Sequence, residues 1–319
     1  MSHAKHIKTN PCLFQSRNTT KDFFEGWYFK QSNDSNVVAI IVGVSRNNED
    51  KKSFIQIIKS TGQTHFKDFA FEAFKFYDNP FKVEIENNSF SLEGLILDFI
   101  CDDGVHIEAD LKYTSMTRFY DKRYKGDIMG PLAHLPFNEC NHGVISVKHN
   151  IDGFFSANKD KESFSSGVGY IEKDWGRSFP KWYLWVQANN FSTNDASLMV
   201  AVANLPYLFF NVKGIAAYFY LNGELHLLTT YNGARSKIRK TSHDVRVNIS
   251  KRGFELLLEF SIKDTFSGEL KSPKYGQMSG KINEYPQVTI SAKVYKHGKL
   301  IFDEQSTQAS AEMINLFKG

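Results

Sequence analysis

The chain predicts an all-β protein made of two antiparallel units, and three observations carry that prediction. Strict alternation of apolar and polar residues recurs along the sequence. In His106–Tyr113, Ile107, Ala109, Leu111 and Tyr113 share one face, and His106, Glu108, Asp110 and Lys112 share the other. That period of two marks a half-buried strand. Turn signals separate such runs, among them Asn222-Gly223, Asn232-Gly233, Lys251-Arg252-Gly253 and His297-Gly298, which suit tight hairpins. Finally, the 319 residues exceed the ~250–300 at which a single core stops growing. About 15–20 strands also exceed one small barrel of ~8.

In chain order, strands are expected at Phe24–Lys30, Val37–Val44, Ser53–Lys59, Phe81–Glu86, Leu95–Cys101 and His106–Tyr113. Thr114–Asn141 lacks alternation and holds Gly126, Gly130, Pro131 and Pro136, so it reads as a long loop of the kind that forms lids or binding loops. Strands resume at Val144–His149, Trp182–Phe191, Ser197–Asn204, Ile215–Leu221, Val245–Ser250, Phe254–Ile262 and Val288–Tyr295. Thr265–Pro286 reads as irregular, and Ala309–Phe317 as a short helix or a last strand. A boundary near Phe179-Pro180 gives units of 1–180 and 181–319. Long strand-rich units of this kind form sandwiches or barrels.

Composition narrows the function. The chain is 41% hydrophobic and 14% aromatic, with 28 Phe, 14 Tyr and 4 Trp, which favours strands and greasy pockets. A net charge of +4 without a basic block is too weak for nucleic acid, though it allows contact with a membrane surface. Three scattered cysteines, Cys12, Cys101 and Cys140, read as reduced thiols of a cytosolic protein. Met1–Phe14 has no apolar run of ~7–15 residues, so no signal peptide is expected. There is no GxxxxGK[ST], no GxSxG, no HExxH and no dinucleotide fingerprint after Gly167-Val168-Gly169. His142 and His149 are seven apart and no metal-ligand spacing stands out, so no metal is expected.

Two segments carry chemistry. In Phe24-Glu25-Gly26-Trp27-Tyr28-Phe29, Glu25 and Trp27 share one strand face, and Phe24, Gly26 and Tyr28 the other. Gly26 within a strand suggests a bulge or a close backbone approach. In Ser166–Phe191, Tyr170, Glu172 and Asp174 point one way and Ile171, Lys173 and Trp175 the other, until Gly176 breaks the strand. In the next strand Tyr183, Trp185, Gln187, Asn189 and Phe191 share a face. Aromatics interleaved with amides suit a pocket wall. Equally, Glu172 or Asp174 could pair with Lys173 or Arg177 and simply join two domains.

The phrases FEGWYF, LPFNECNHGV and GYIEKDWGRSFPKWYLWVQANNF resemble the tocopherol cyclase family and its bacterial relatives. That family is related to carotenoid 1,2-hydratases and to lipocalin-like Diels–Alderases. The resemblance runs from Phe23 to Met313. It implies two lipocalin-like β-barrels and cofactor-free chemistry, in which a phenolic hydroxyl adds across a prenyl double bond to close a chromanol ring. The plant enzymes carry Asn where this chain has Asp174, and differ around His142.

Protonating an alkene demands a strong, pre-placed acid. A carboxyl in an apolar pocket stays protonated near neutral pH, and indole or phenol faces stabilise the resulting cation. The expected acids are Glu172, then Asp174 and Glu25. Trp27, Trp175, Trp182 and Trp185 are candidates for the aromatic wall, with Trp27 and Trp185 favoured over Trp182. Tyr28, Tyr170, His142, Gln187 and Asn189 would bind the substrate. The whole set is expected around a dry chamber enclosed by the curled sheets. The expected ligand is a prenylated phenol or a related isoprenoid. A non-catalytic carrier of such a molecule, or a hydratase or pericyclase on a polyene, are the alternatives.

Overall fold

A computed structural model describes residues 10–17, 19, 21–119, 128–134, 138–192, 195–207 and 210–316. Among these there is no α-helix. The first sheet holds β1 (Phe23–Ser32), β2 (Val37–Arg46), β3 (Lys51–Lys59), β4 (Thr64–Ala70), β5 (Phe74–Asp78), β6 (Phe81–Ile85), β7 (Asn88–Ser91), β8 (Gly94–Ile100), β9 (His106–Arg118), β10 (Cys140–Ala157), β11 (Asp160–Ser163) and β12 (Gly167–Gly176). The second holds β13 (Tyr183–Ala188), β14 (Ala196–Tyr207), β15 (Phe210–Leu221), β16 (Glu224–Thr229), β17 (Arg235–Lys240), β18 (Asp244–Lys251), β19 (Phe254–Ser261), β20 (Gly268–Lys274), β21 (Gln277–Lys296) and β22 (Lys299–Ile314).

The first sheet runs β4-β3-β2-β1-β12-β10-β9-β8-β7-β6-β5 and the second β16-β15-β14-β13-β22-β21-β19-β18-β17. Every pairing is antiparallel, and the two orders match over their first five strands: the fourth to the first of each unit, then its last. In each sheet the two edge strands are consecutive in the chain. One 3₁₀ turn, Phe71–Ala73, joins β4 to β5, and another, Thr230–Asn232, joins β16 to β17. The sheets curl into two lipocalin-like barrels, each of which brings its two edge strands to a single 3₁₀ turn.

Thr265–Pro286 is not irregular: it contributes β20 and the start of β21. Its prolines had masked the pattern. Pro273 sits at a register shift between Ser272 and Lys274, and Pro286 at one between Tyr285 and Val288, where a missing N–H is tolerated. The terminal segment is strand as far as Ile314, and Phe317 lies outside the described residues. Of the loop expected over Thr114–Asn141, the first five residues extend β9 and Gly130–His134 forms a 3₁₀ turn. Residues 120–127 and 135–137 lie outside the described residues, as does the start of the Met1–Phe14 segment.

Alternation sorts each strand's side chains between a barrel interior and a seam between the barrels. Phe29, Ile40, Ile57, Phe90, Leu111, Phe155 and Ile171 fill the first interior. Leu184, Val186, Val200, Phe219, Leu258 and Ile290 fill the second. A third apolar cluster lies in the seam, with Tyr28, Tyr170, Tyr183, Trp185, Met199 and Tyr218. Burial of each such side chain contributes ~1.5–3 kcal/mol. The cavity described below is not inside either curled sheet, where these apolar side chains cluster; it lies where the two outer faces meet.

Candidate active site

One cavity opens in the seam, with a volume of about 160 Å³. The first barrel supplies Phe24, Gly26, Tyr28, His142, Glu172 and Asp174 to its wall, and the second Tyr183, Trp185, Ala201, Ala203, Gly214 and Glu312. Gly26 is no bulge: β1 stays in register with both neighbours. The close approach is at its partner Gly43, where a Cβ would lie 2.3 Å from the Glu25 carbonyl oxygen.

Strand pairing assembles the polar end. Tyr28 lies opposite Glu172, and His142 opposite Asp174. Glu172 is 4% exposed. Its Oε2 accepts hydrogen bonds from the Tyr170 hydroxyl at 2.6 Å and from Trp185 Nε1 at 3.1 Å. His142 Nε2 lies 3.5 Å from the same oxygen, while its Nδ1 is 3.0 Å from Asp174 Oδ1. Burial lifts Glu172 to about 7, with His142 opposing the shift and Asp174 adding to it. The carboxyl therefore exchanges its proton near neutral pH.

Sequence reasoning missed two glutamates and a lysine in the same seam. Glu312 opens into the cavity and accepts a 2.6 Å bond from the Tyr183 hydroxyl. Glu284, fully buried, takes the Tyr28 hydroxyl across the seam at 2.6 Å. The two glutamates face each other on β21 and β22, and like charges directly opposite are unfavourable, which disfavours ionising both. Burial raises both carboxyls, Glu284 to about 7. Fully buried Lys30 donates to Gln187 Oε1 at 2.8 Å and to the Gln308 carbonyl at 2.6 Å, and burial pulls its ammonium down to about 7. The available signal was phase: Glu284 occupies a position where β21 otherwise buries apolar side chains such as Ile282 and Val288.

A raised carboxyl binds protons more tightly when folded than when unfolded. Its contribution to stability is therefore complete below the unfolded value and is lost as pH rises through the folded one. Thermal unfolding followed from pH 4.5 to 8 should show the midpoint falling across the window from about 4.5 to about 7. Glu284→Gln should flatten that slope. An unchanged slope in the variant would mean that Glu284 is not held protonated.

Five of the residues expected at the site line the cavity: Glu172, Asp174, His142, Tyr28 and Trp185. Tyr170 stands behind Glu172 as its hydrogen-bond donor. Gln187 and Asn189 bind across the seam rather than line the cavity: Gln187 receives Lys30, and Asn189 Nδ2 donates to the Gly169 carbonyl at 2.7 Å. Glu25, Trp27 and Trp175 are corrected. All three lie on the opposite strand faces, because odd positions of β1 and β12 point into the first barrel. There Lys173 forms a fully buried ion pair with Glu25 at 3.0 Å. Its ammonium also lies 4.3 Å from the Trp27 ring and 5.1 Å from that of Trp175. Arg177 pairs with Asp22, so neither Glu172 nor Asp174 is spent on those cations.

Ligand atoms of His142, Glu172 and Asp174 lie within 4.8 Å of one another, a set able to coordinate a divalent cation. The spacing rule that argued against a metal cannot see this set. More than thirty residues of chain separate His142 from Asp174, and pairing of β10 with β12 brings them together.

Fold and site define a double-barrel β protein with an acid-lined apolar cavity in its seam. The chain belongs to the tocopherol cyclase-like family, whose model matches residues 93–313. Solved structures share the fold. CghA in complex with Sch210972 is 10% identical, with a TM-score of 0.57, covering 93% of this chain and 89% of that one. Kievitone hydratase from Nectria haematococca is 12% identical, with a TM-score of 0.53 and coverage of 92% and 88%. A putative AttH from Nitrosomonas europaea is 10% identical, with a TM-score of 0.54 and coverage of 93% of each chain. No curated protein matches in sequence. Among the described residues no helix is long and apolar enough to cross a membrane.

Proposed function

We propose that this protein catalyses acid-initiated ring closure of a prenylated phenol or quinol to a chromanol. One observation carries the reading: a buried carboxyl, Glu172, sits 3.5 Å from an imidazole inside an apolar cavity. Ring closure is an isomerisation, so the proton given must be taken back. Glu172 gives its proton to the alkene, leaving a tertiary cation. The faces of Tyr28 and Trp185, whose rings meet edge to face at 5.6 Å, stabilise that cation. The phenolic oxygen then forms the C–O bond and releases its proton to His142 Nε2. Asp174, at Nδ1, stabilises the imidazolium. The proton returns from His142 to Glu172 and the cycle closes. Family membership supports the reading.

The side chain of Asp174 is 25% exposed, so water can reach this end of the cavity. That favours a second reading, in which water replaces the phenolic oxygen and the product is an alcohol. One assay separates the readings. The protein, exhaustively treated with a chelator, is incubated with a prenylated hydroquinone and the product is weighed by mass spectrometry. An isomer of the substrate is expected, and a product heavier by one water would mark a hydratase. Substrate bound but returned unchanged would mark a carrier. Activity lost on chelation and restored by a divalent metal would overturn the metal-free mechanism.

A further inference from the structure

One wall of the cavity has an unusual composition. On the outer face of the second barrel, β14 presents Met199, Ala201, Ala203 and Leu205, and β15 presents Gly214, Ala216, Tyr218 and Tyr220. Tyr218 pairs with Met199, Ala216 with Ala201, and Gly214 with Ala203. At one end Met199 and Tyr218 are fully buried and fill the seam. Two pairs further on, the side chains shrink to methyl groups or nothing, and the cavity begins. The void thus exists because side-chain volume falls away along two paired strands.

Gly214 makes the point sharper. Its backbone is not left-handed, and the nearest atoms an added Cβ would meet belong to the Leu205 side chain, with Cδ1 at 2.7 Å. Leu205 itself lines the cavity. Nothing in the turn geometry therefore requires glycine, which weakens a strand interior. What glycine supplies here is room. The chemical groups of the site, Glu172, His142 and Asp174, come from the first barrel, whereas this floor is apolar and carries none.

We infer that the Ala201–Ala203–Gly214–Ala216 floor is the bed of an extended hydrocarbon tail, and that Ala203 and Gly214 set the tail length the protein accepts. The inference rests on the proposed reaction for the ring end of the ligand but concerns binding alone. The ligand is then a small ring bearing a flexible chain, rather than a compact polycycle that would leave this floor uncovered.

The test uses hydroquinones bearing one to four isoprene units, with binding read by quenching of tryptophan fluorescence, since Trp185 lies in the wall. In the unaltered protein, affinity should rise by about tenfold or more for each added unit that reaches the floor. Ala203→Leu and Gly214→Val should leave the one-unit ligand within about twofold while abolishing the gain from longer tails. Gly214→Val must displace the Leu205 side chain, so an unchanged thermal midpoint with the one-unit ligand bound would show that the seam remains intact. Affinity independent of tail length in the unaltered protein, or equal weakening of short and long ligands in both variants, would overturn the inference. Because the readout is binding, a length-dependent affinity without any turnover would refute the proposed reaction and leave the tail bed standing.

Discussion

Glu172→Gln should lower turnover by ~10²–10⁴-fold, the usual contribution of a positioned general acid. Ligand binding should survive it. The amide keeps the shape of the side chain, and its oxygen can still accept from the Tyr170 hydroxyl and Trp185 Nε1. Turnover of a prenylated hydroquinone and retention of the same ligand would be measured on one preparation. In the unaltered protein the rate should fall as pH rises past about 7, where Glu172 loses its proton. A variant that turns over at the original rate would remove Glu172 from the chemistry and shift attention to Glu312, the other raised carboxyl facing the cavity.

The largest stability effect should come from the other face of the same strand. Lys173→Ala strips the partner from Glu25, whose carboxylate is fully buried and also accepts the backbone N–H groups of Gln15 and Ser16. Leaving one buried charge without its counter-ion costs ~3–5 kcal/mol. Lys173 also donates to the Leu13 carbonyl at 2.6 Å, so its loss also loosens the N-terminal segment held at Leu13, Gln15 and Ser16. Denaturant unfolding of Lys173→Ala, set beside the double variant Glu25→Gln/Lys173→Met, distinguishes charge from packing. The double variant should recover much of the loss, because it removes both charges while keeping most of the volume. A single-variant loss below about 1 kcal/mol would mean that the pair is hydrated rather than sealed.

Much of this architecture was legible in the sequence because alternation encodes which face each residue joins. The split of Tyr170, Glu172 and Asp174 from Lys173 and Trp175 follows from period two alone, and the strand ends at Gly176 as its position suggested. What alternation cannot say is which of two buried faces is the barrel interior and which the seam. Both faces of β1 are apolar, so Trp27, an ideal wall by composition, went to the wrong side. Glu284 escaped notice for a related reason: Pro286 breaks the pattern of its strand two residues on, and its partner Tyr28 lies in the other barrel, 256 residues away. His142 with Asp174 is likewise a product of pairing, invisible to any local spacing rule.

Placing the cavity between two separately cored bodies has a thermodynamic corollary. Whatever occupies the seam touches both halves at once and so acts as mortar between them. Its free energy of association is shared with their cohesion, and each half gains resistance to melting from a guest that neither could hold alone.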